Sequence, residues 1–157
     1  MKIAIGSDKL GAQLRRSLIE HLQKQSLVKV EIQDFGVGED DEQDYPDIGL
    51  LVAESIANGT NQRGILICGT GIGMAITANK VPGVYAANVS DSYSAERARK
   101  SNNAQVITFG ALTVGVALAN SLIDIWLVSE FQGGRSTRKV EKIKDIEAKY
   151  NELEEDI

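Results

Sequence analysis

The chain has 157 residues, enough for one domain with a full core and too few for two of typical size. Apolar residues make up 43% and charged residues 25%, the balance of a globular protein, and no run reaches the roughly 20 apolar residues of a membrane span. A formal net charge of −5 argues against a nucleic-acid surface, and a single cysteine excludes an internal disulfide and any multi-cysteine metal site. Residues 1–6 read as a strand and are too short for a signal peptide, so a cytoplasmic, disulfide-free protein is expected.

Ile3-Ala4-Ile5-Gly6 forms a short buried strand with Ser7-Asp8-Lys9 at its C-terminal end. Leu10, Leu14, Leu18 and Leu22 then recur every four residues, the stripe of an amphipathic helix capped by Ser7 or Asp8. The only histidine, His21, falls beside that stripe, where packing at the helix boundary is its expected role. Val28, Val30 and Ile32 alternate with Lys29, Glu31 and Gln33, as in a half-buried strand. An acidic loop from Gly36 to Asp47 holds Asp44-Tyr45-Pro46, and the charges from Glu39 to Glu42 read as solvated surface. Ile48, Leu51, Val52, Ser55 and Ile56 mark a second helix, ended by Asn58-Gly59.

The stretch from Gly64 to Met74 organises the chain. An apolar run ends in Cys68, then Gly69, Gly71 and Gly73 alternate with Thr70 and Ile72, and a helical segment continues through Lys80. That pattern is strand, tight turn, helix start. The glycines let a ligand approach the main chain, and the free N–H groups of the new helix favour negative charge in the turn. A thiol placed there is a candidate nucleophile or proton acceptor. The spacing G-x-G-x-G matches neither the dinucleotide fingerprint nor the P-loop.

A fourth strand spans Val84 to Val89, a helix Ser92 to Lys100, and a fifth strand Val106 to Gly110. Val114 to Val128 is a long apolar helix whose Trp126 belongs to the core or to a subunit interface. Gly133-Gly134-Arg135 breaks it, and a charged helix runs from about Lys139 to Glu154. Strands alternating with helices predict one α/β domain with a parallel sheet, whose ligands collect beyond the strand C-termini. A first strand lying beside the Cys68 strand would bring Asp8-Lys9 and Cys68-Thr70 to one cleft. The polar tail suits packing on another subunit better than closing this core.

Gly6-Ser7-Asp8, Asp44-Tyr45-Pro46, Ile67 to Gly73 and Ala78-Asn79-Lys80 stand in this order, followed by Tyr93-Ser94-Ala95, Ser101-Asn102-Asn103, Phe109-Gly110 and Gly133-Gly134-Arg135. The ordered set resembles the ribose-5-phosphate isomerase B / galactose-6-phosphate isomerase family from Met1 to about Tyr150. The resemblance implies a Rossmann-like three-layer α/β/α sandwich on a five-stranded parallel sheet. It implies one sugar-phosphate isomerase domain over 1–157, with an arm from about 133 to 157 for oligomer contact. It further implies aldose–ketose isomerisation of phosphorylated sugars without metal or organic cofactor, in a homodimer or homotetramer with shared active sites. Moving a carbonyl between C1 and C2 needs one base to carry a proton through an enediolate, and fixed donors for its oxyanion. By resemblance Cys68 is the base, Thr70 with Gly69, Gly71 and Gly73 holds the enediolate oxygen, and Asp8 handles substrate hydroxyls with Tyr45 beside it. Asn102 matches an asparagine supplied by the neighbouring subunit, and Arg135 matches a phosphate-binding arginine.

Four positions depart from the family pattern. Lys9 stands where a histidine usually follows the aspartate, Ser101 replaces a ring-opening histidine, and Leu112 replaces an arginine. The second arginine of the arm falls at Lys139, with Arg138 one place earlier. A tetrose 4-phosphate cannot close a five-membered ring, because the required hydroxyl carries the phosphate, so a ring-opening group is dispensable for it. Ser94 to Arg97 and Ser101 to Gln105 also resemble the tetrose-phosphate branch. The expected substrate is erythrose/erythrulose 4-phosphate, with Lys9 supplying some of the phosphate's counter-charge. The alternatives are ribose 5-phosphate/ribulose 5-phosphate, a non-catalytic phosphosugar-binding domain, or one member of a two-protein isomerase.

Overall fold

Lys2–Ser7 (β1), buried except at its first residue and apolar from Ile3 to Gly6, forms the second strand of a parallel sheet. This computed structural model describes residues 1–37 and 41–155. Glu39 and Asp40, expected as solvated charges, lie outside the described residues, while Asp41 and Glu42 are exposed. In chain order Ala12–Lys24 (α1), Glu31–Asp34 (β2), Tyr45–Ala57 (α2), Arg63–Cys68 (β3) and Ile72–Ala78 (α3) follow. Ala86–Asn88 (β4), Ser92–Lys100 (α4), Val106–Gly110 (β5), Val116–Val128 (α5) and Arg135–Glu155 (α6) complete it. The sheet order is β2-β1-β3-β5-β4, and every neighbouring pair is parallel.

Parallel strands need crossovers, and these fall on both faces. α1 and α4 pack with α5 on one face, and α2 packs with α3 on the other. Ile3, Ile5, Ile65, Ile67, Ile107 and Phe109 join Leu14, Leu18, Leu22 and Trp126 in one apolar layer. Ala4, Leu66 and Val106 join Ile48, Val52 and Met74 in the other, with Cys68. The direction of winding therefore reverses between β1 and β3. β1 sends its helix to one face while β3 sends α3 to the other, the crevice where such sheets collect ligands.

Four local expectations are corrected. Leu10 is 55% exposed and precedes α1, because Gly11 lies flat on the β1–β3 strand ends; a Cβ there would fall 2.7 Å from Ile67 Cγ2 and 2.8 Å from its carbonyl oxygen. Neither Ser7 nor Asp8 caps α1: Gly11 holds the cap position, Asp8 Oδ1 accepts from Gly11 N at 3.0 Å, and Ser7 Oγ accepts from the buried Arg15. The last helix starts at Arg135 and not near Lys139, since Gly133 and Gly134 both take left-handed backbone (φ +66° and +60°) and complete the break. β2 is also shorter than the Val28–Ile32 alternation suggests, pairing with β1 only over Glu31–Asp34. Trp126 is core, and His21 reaches from α1 to Asp124 of α5 at 2.7 Å. No described helix is long and apolar enough to cross a membrane.

Candidate active site

β3 delivers Cys68 as its last residue, 5% exposed, directly before the glycine turn. Gly71 N–H donates to Cys68 Sγ at 3.1 Å. Gly71 itself sits at φ +77°, and a Cβ on it would fall 2.5 Å from Asn88 Nδ2 and 2.7 Å from the Phe109 carbonyl carbon. Both conditions demand glycine. The Thr70–Gly71 peptide is held at its two ends, since Asn88 Nδ2 donates to Thr70 O at 2.9 Å while the N–H end faces the sulfur. One peptide further, the buried Thr108 hydroxyl donates to Gly71 O at 2.8 Å. Thr70 stays exposed, its Oγ1 accepting from Ile72 N at 3.2 Å.

β1 ends beside this turn, with Ser7 in register with Ile67 and Asp8 N–H donating to Ile67 O at 3.3 Å. Asp8 is half-buried there and Lys9 exposed. Tyr45, the first residue of α2, arrives over the turn; a Cβ on Gly73 would sit 2.6 Å from its ring carbons. Asp44 fixes that arrival as the helix cap, its N–H donating to Asp47 Oδ2 at 3.2 Å. Around Gly69, an added Cβ would lie 3.4 Å from Leu10 Cδ1 and 3.6 Å from Leu112 Cδ1, so two exposed leucines flank the mouth. Asp8, Lys9, Tyr45, Cys68, Thr70 and the three glycines thus share the C-terminal edge of the sheet.

The remaining candidates do not join them. Arg135, Arg138 and Lys139 line a cleft of about 670 Å³ with Arg97, Ser101 and Gln132. That cleft lies at the opposite edge. Arg63 opens β3 and donates to Ser129 O at 3.0 Å and to Glu130 at 2.8 Å, while Gln132 N–H bonds Lys100 O at 3.1 Å. Burial, and then the neighbouring Arg99 charge, lower the Arg63 pKa to about 10. β3 spans six residues, so its ends are about 17 Å apart. Asn102 occupies neither place: exposed, it lines a second groove of about 450 Å³ along β4 with Asn79, Tyr85 and Asn88. Its neighbour Asn103 takes left-handed backbone (φ +53°) just past α4, and the Asn-Asn pair makes the turn before β5. α6 then touches its own chain, Gly83 N–H donating to Glu147 Oε2 at 3.0 Å.

Asn88, Thr108 and Arg15 escape sequence reading, and Arg97 enters it only as the end of the Ser94 run. Asn88 and Thr108 act on backbone 18 and 37 residues away, with no periodicity to mark them. Arg15 sits on the apolar side of α1, where a charge reads as surface, yet it is buried and bonds Ser7, Val37 O and Asp34. Gly36 is the one available signal, because a Cβ there would collide with the Arg15 guanidinium.

The ribose/galactose isomerase family model matches residues 3–143. The chain is 53% identical over 149 residues to a Listeria innocua protein named ribose-5-P isomerase B, covering 95% of this chain and 99% of that one. It is 49% identical over 143 residues to the D-erythrulose-4-phosphate isomerase of Pectobacterium atrosepticum, covering 91% and 93%. The solved ribose-5-phosphate isomerase B of Clostridium thermocellum is similar with a TM-score of 0.90 at 48% identity, over 96% of this chain and 99% of that one. Fold and sequence agree along nearly the whole length of each of these proteins, and the chain belongs to the ribose/galactose isomerase family.

Proposed function

We propose that this chain interconverts the aldose and ketose forms of a small phosphorylated sugar, with Cys68 as the base. Starting from the aldose, the thiolate takes the proton from C2, the electron pair forms the C1–C2 double bond, and charge collects on the former carbonyl oxygen. The same sulfur returns its proton to C1 and leaves the ketose. Asp8, at the adjoining strand end, relays the hydroxyl proton between the two oxygens. Thr70 and the N–H groups around Gly69 and Gly73 attend the oxyanion, while Tyr45 lines the sugar's path. The carrying observation is the Gly71 N–H at 3.1 Å from Cys68 Sγ, a fixed donor supporting negative charge on that sulfur.

The phosphate belongs in the Arg135, Arg138 and Lys139 cleft, whose arginine forks suit its oxygens. Since that cleft and Cys68 lie at opposite edges of one sheet, we infer a homo-oligomer in which the arm and Asn102 of one subunit complete the site of another. On this reading residues 1–157 form one domain acting in the cytoplasm, with 133–157 as its arm. Lys9 adds charge at the Cys68 end.

A tetrose 4-phosphate is the substrate this reading favours. Ser101 faces the basic cleft and its Oγ accepts from Arg97 Nη1 at 3.4 Å, so no titrating group stands there to open a ring. The Listeria and Clostridium relatives, named for ribose 5-phosphate, support the pentose as second reading. Turnover of erythrulose 4-phosphate and of ribulose 5-phosphate by the purified chain separates the two, and faster pentose turnover overturns the tetrose preference. Cys68→Ala should lower kcat about 10²–10⁴-fold while substrate still binds. No turnover of any phosphosugar by either form would leave a binding domain.

A further inference from the structure

The basic cleft has two walls. The start of α6 supplies Arg135, Arg138 and Lys139, and the end of α4 supplies Arg97 and its cap residue Ser101. The Gln132 N–H bond to Lys100 O at 3.1 Å joins the walls at their base. Arg97 is the single cation of the α4 wall that lines this cleft among the described residues, and its side chain is 30% exposed.

The hydrogen bonding of Arg97 is incomplete. Nη2 reaches Glu96 Oε1 at 3.2 Å, but Lys100 Nζ approaches that same oxygen more closely. Nη1 reaches Ser101 Oγ only at 3.4 Å, and Nε is buried with no acceptor among the described residues. The Tyr93 ring, 5.9 Å from the guanidinium carbon, supports it from one side. Arg97, Arg135, Arg138 and Lys139 line the cleft with no carboxylate among the lining residues. Four like charges repel one another, and a bound dianion relieves that repulsion while accepting the unused N–H donors.

We propose that Arg97 is a phosphate-binding residue of this enzyme, the jaw opposite the arm, so that the sugar's phosphate bridges α4 to the start of α6. This assignment rests on the reading above that the substrate's phosphate enters this cleft. It adds a specificity element: a phosphate gripped from the Ser101 wall is held beside the small side chain at 101, where a bulkier residue would keep it away. Glu96 then acts as a counter-ion that holds the Arg97 stem in place.

Arg97→Met keeps the stem's bulk and removes the charge, and Arg97→Lys keeps the charge without the fork. Each variant is compared with wild type for KM and kcat on the preferred sugar phosphate and for competitive inhibition by inorganic phosphate. Arg97→Met should raise both KM and the phosphate inhibition constant about tenfold, with kcat within about twofold, and Arg97→Lys should fall between. Unchanged KM and inhibition constant in a catalytically active Arg97→Met protein overturn the proposal. A fall in kcat alone also overturns it, since a merely structural role predicts that pattern. If wild type turns over no phosphosugar, the isomerase reading fails by itself. Calorimetric phosphate binding to wild type and Arg97→Lys then still decides whether Arg97 holds the anion.

Discussion

Gly71 and Gly73 are both intolerant of a side chain, for different reasons. Gly71 carries the left-handed backbone that aims an N–H at Cys68, whereas Gly73 makes room for the Tyr45 ring. Gly73→Ala should therefore displace Tyr45, lower stability by about 1–3 kcal/mol through overpacking, and raise KM more than it lowers kcat. Urea unfolding and steady-state kinetics on one preparation check both parts. Thr108→Val keeps the side-chain shape but strips the donor from Gly71 O, a buried carbonyl. Gly71 O keeps the Ala75 N–H at 3.1 Å, so losing the second donor should cost about 0.5–1.5 kcal/mol, and the loosened turn should lower kcat with KM little changed. The G-x-G-x-G spacing made the turn legible from the sequence. Its supports were not, because a hydrogen bond from Thr108 to Gly71 depends on β5 pairing with β3, and strand order leaves no local trace.

At the scale of elements, α4 and β5 have the bounds their patterns predict, because clear caps and apolar runs delimit them. The start of α1 was misread for a tertiary reason: Leu10 keeps the four-residue period, but the contact of Gly11 with Ile67 delays the helix. On the proposed reading α4 matters most, since it presents Arg97 and leads directly into Ser101. Asp91 begins it, accepting Ser94 N at 2.8 Å, and these Ser94 hydrogen bonds hold its carboxyl below the ordinary value of 3.8. With the folded value depressed, the unfolded chain binds the proton first as pH falls. The cap's contribution is thus complete above pH 3.8 and is lost as pH drops through the lower folded value. Asp91→Asn still accepts a hydrogen bond but cannot titrate. Its helical signal should decline less steeply than wild type below pH 3.8, in circular dichroism across an acid titration.

On the scale of the whole molecule, the sheet separates Cys68 from the Arg135 cleft, the two places that the proposed mechanism joins. Cys68 terminates β3 and Arg63 begins it, while Arg63 is bonded to the Ser129–Glu130 segment that leads into the Arg135 arm. The half-sites are therefore held apart by a buried strand, and bending the chain cannot bring them together. The sequence held each half but not their separation, which only the sheet order reveals. On the proposed reading, a two-fold oligomer would pair one subunit's Cys68 with another's Arg135, twice. Cys68→Ala and Arg135→Ala homo-oligomers should each be nearly inactive. Denatured together at equal amounts and refolded, they should regain about a quarter of wild-type activity if a dimer is the working unit, because half the dimers are mixed and each has one intact site. Should the mixture stay as inactive as its components while refolded wild type recovers, each site would be built from one chain, and the arm would have to reach Cys68 by a rearrangement that breaks the Gln132–Lys100 bond.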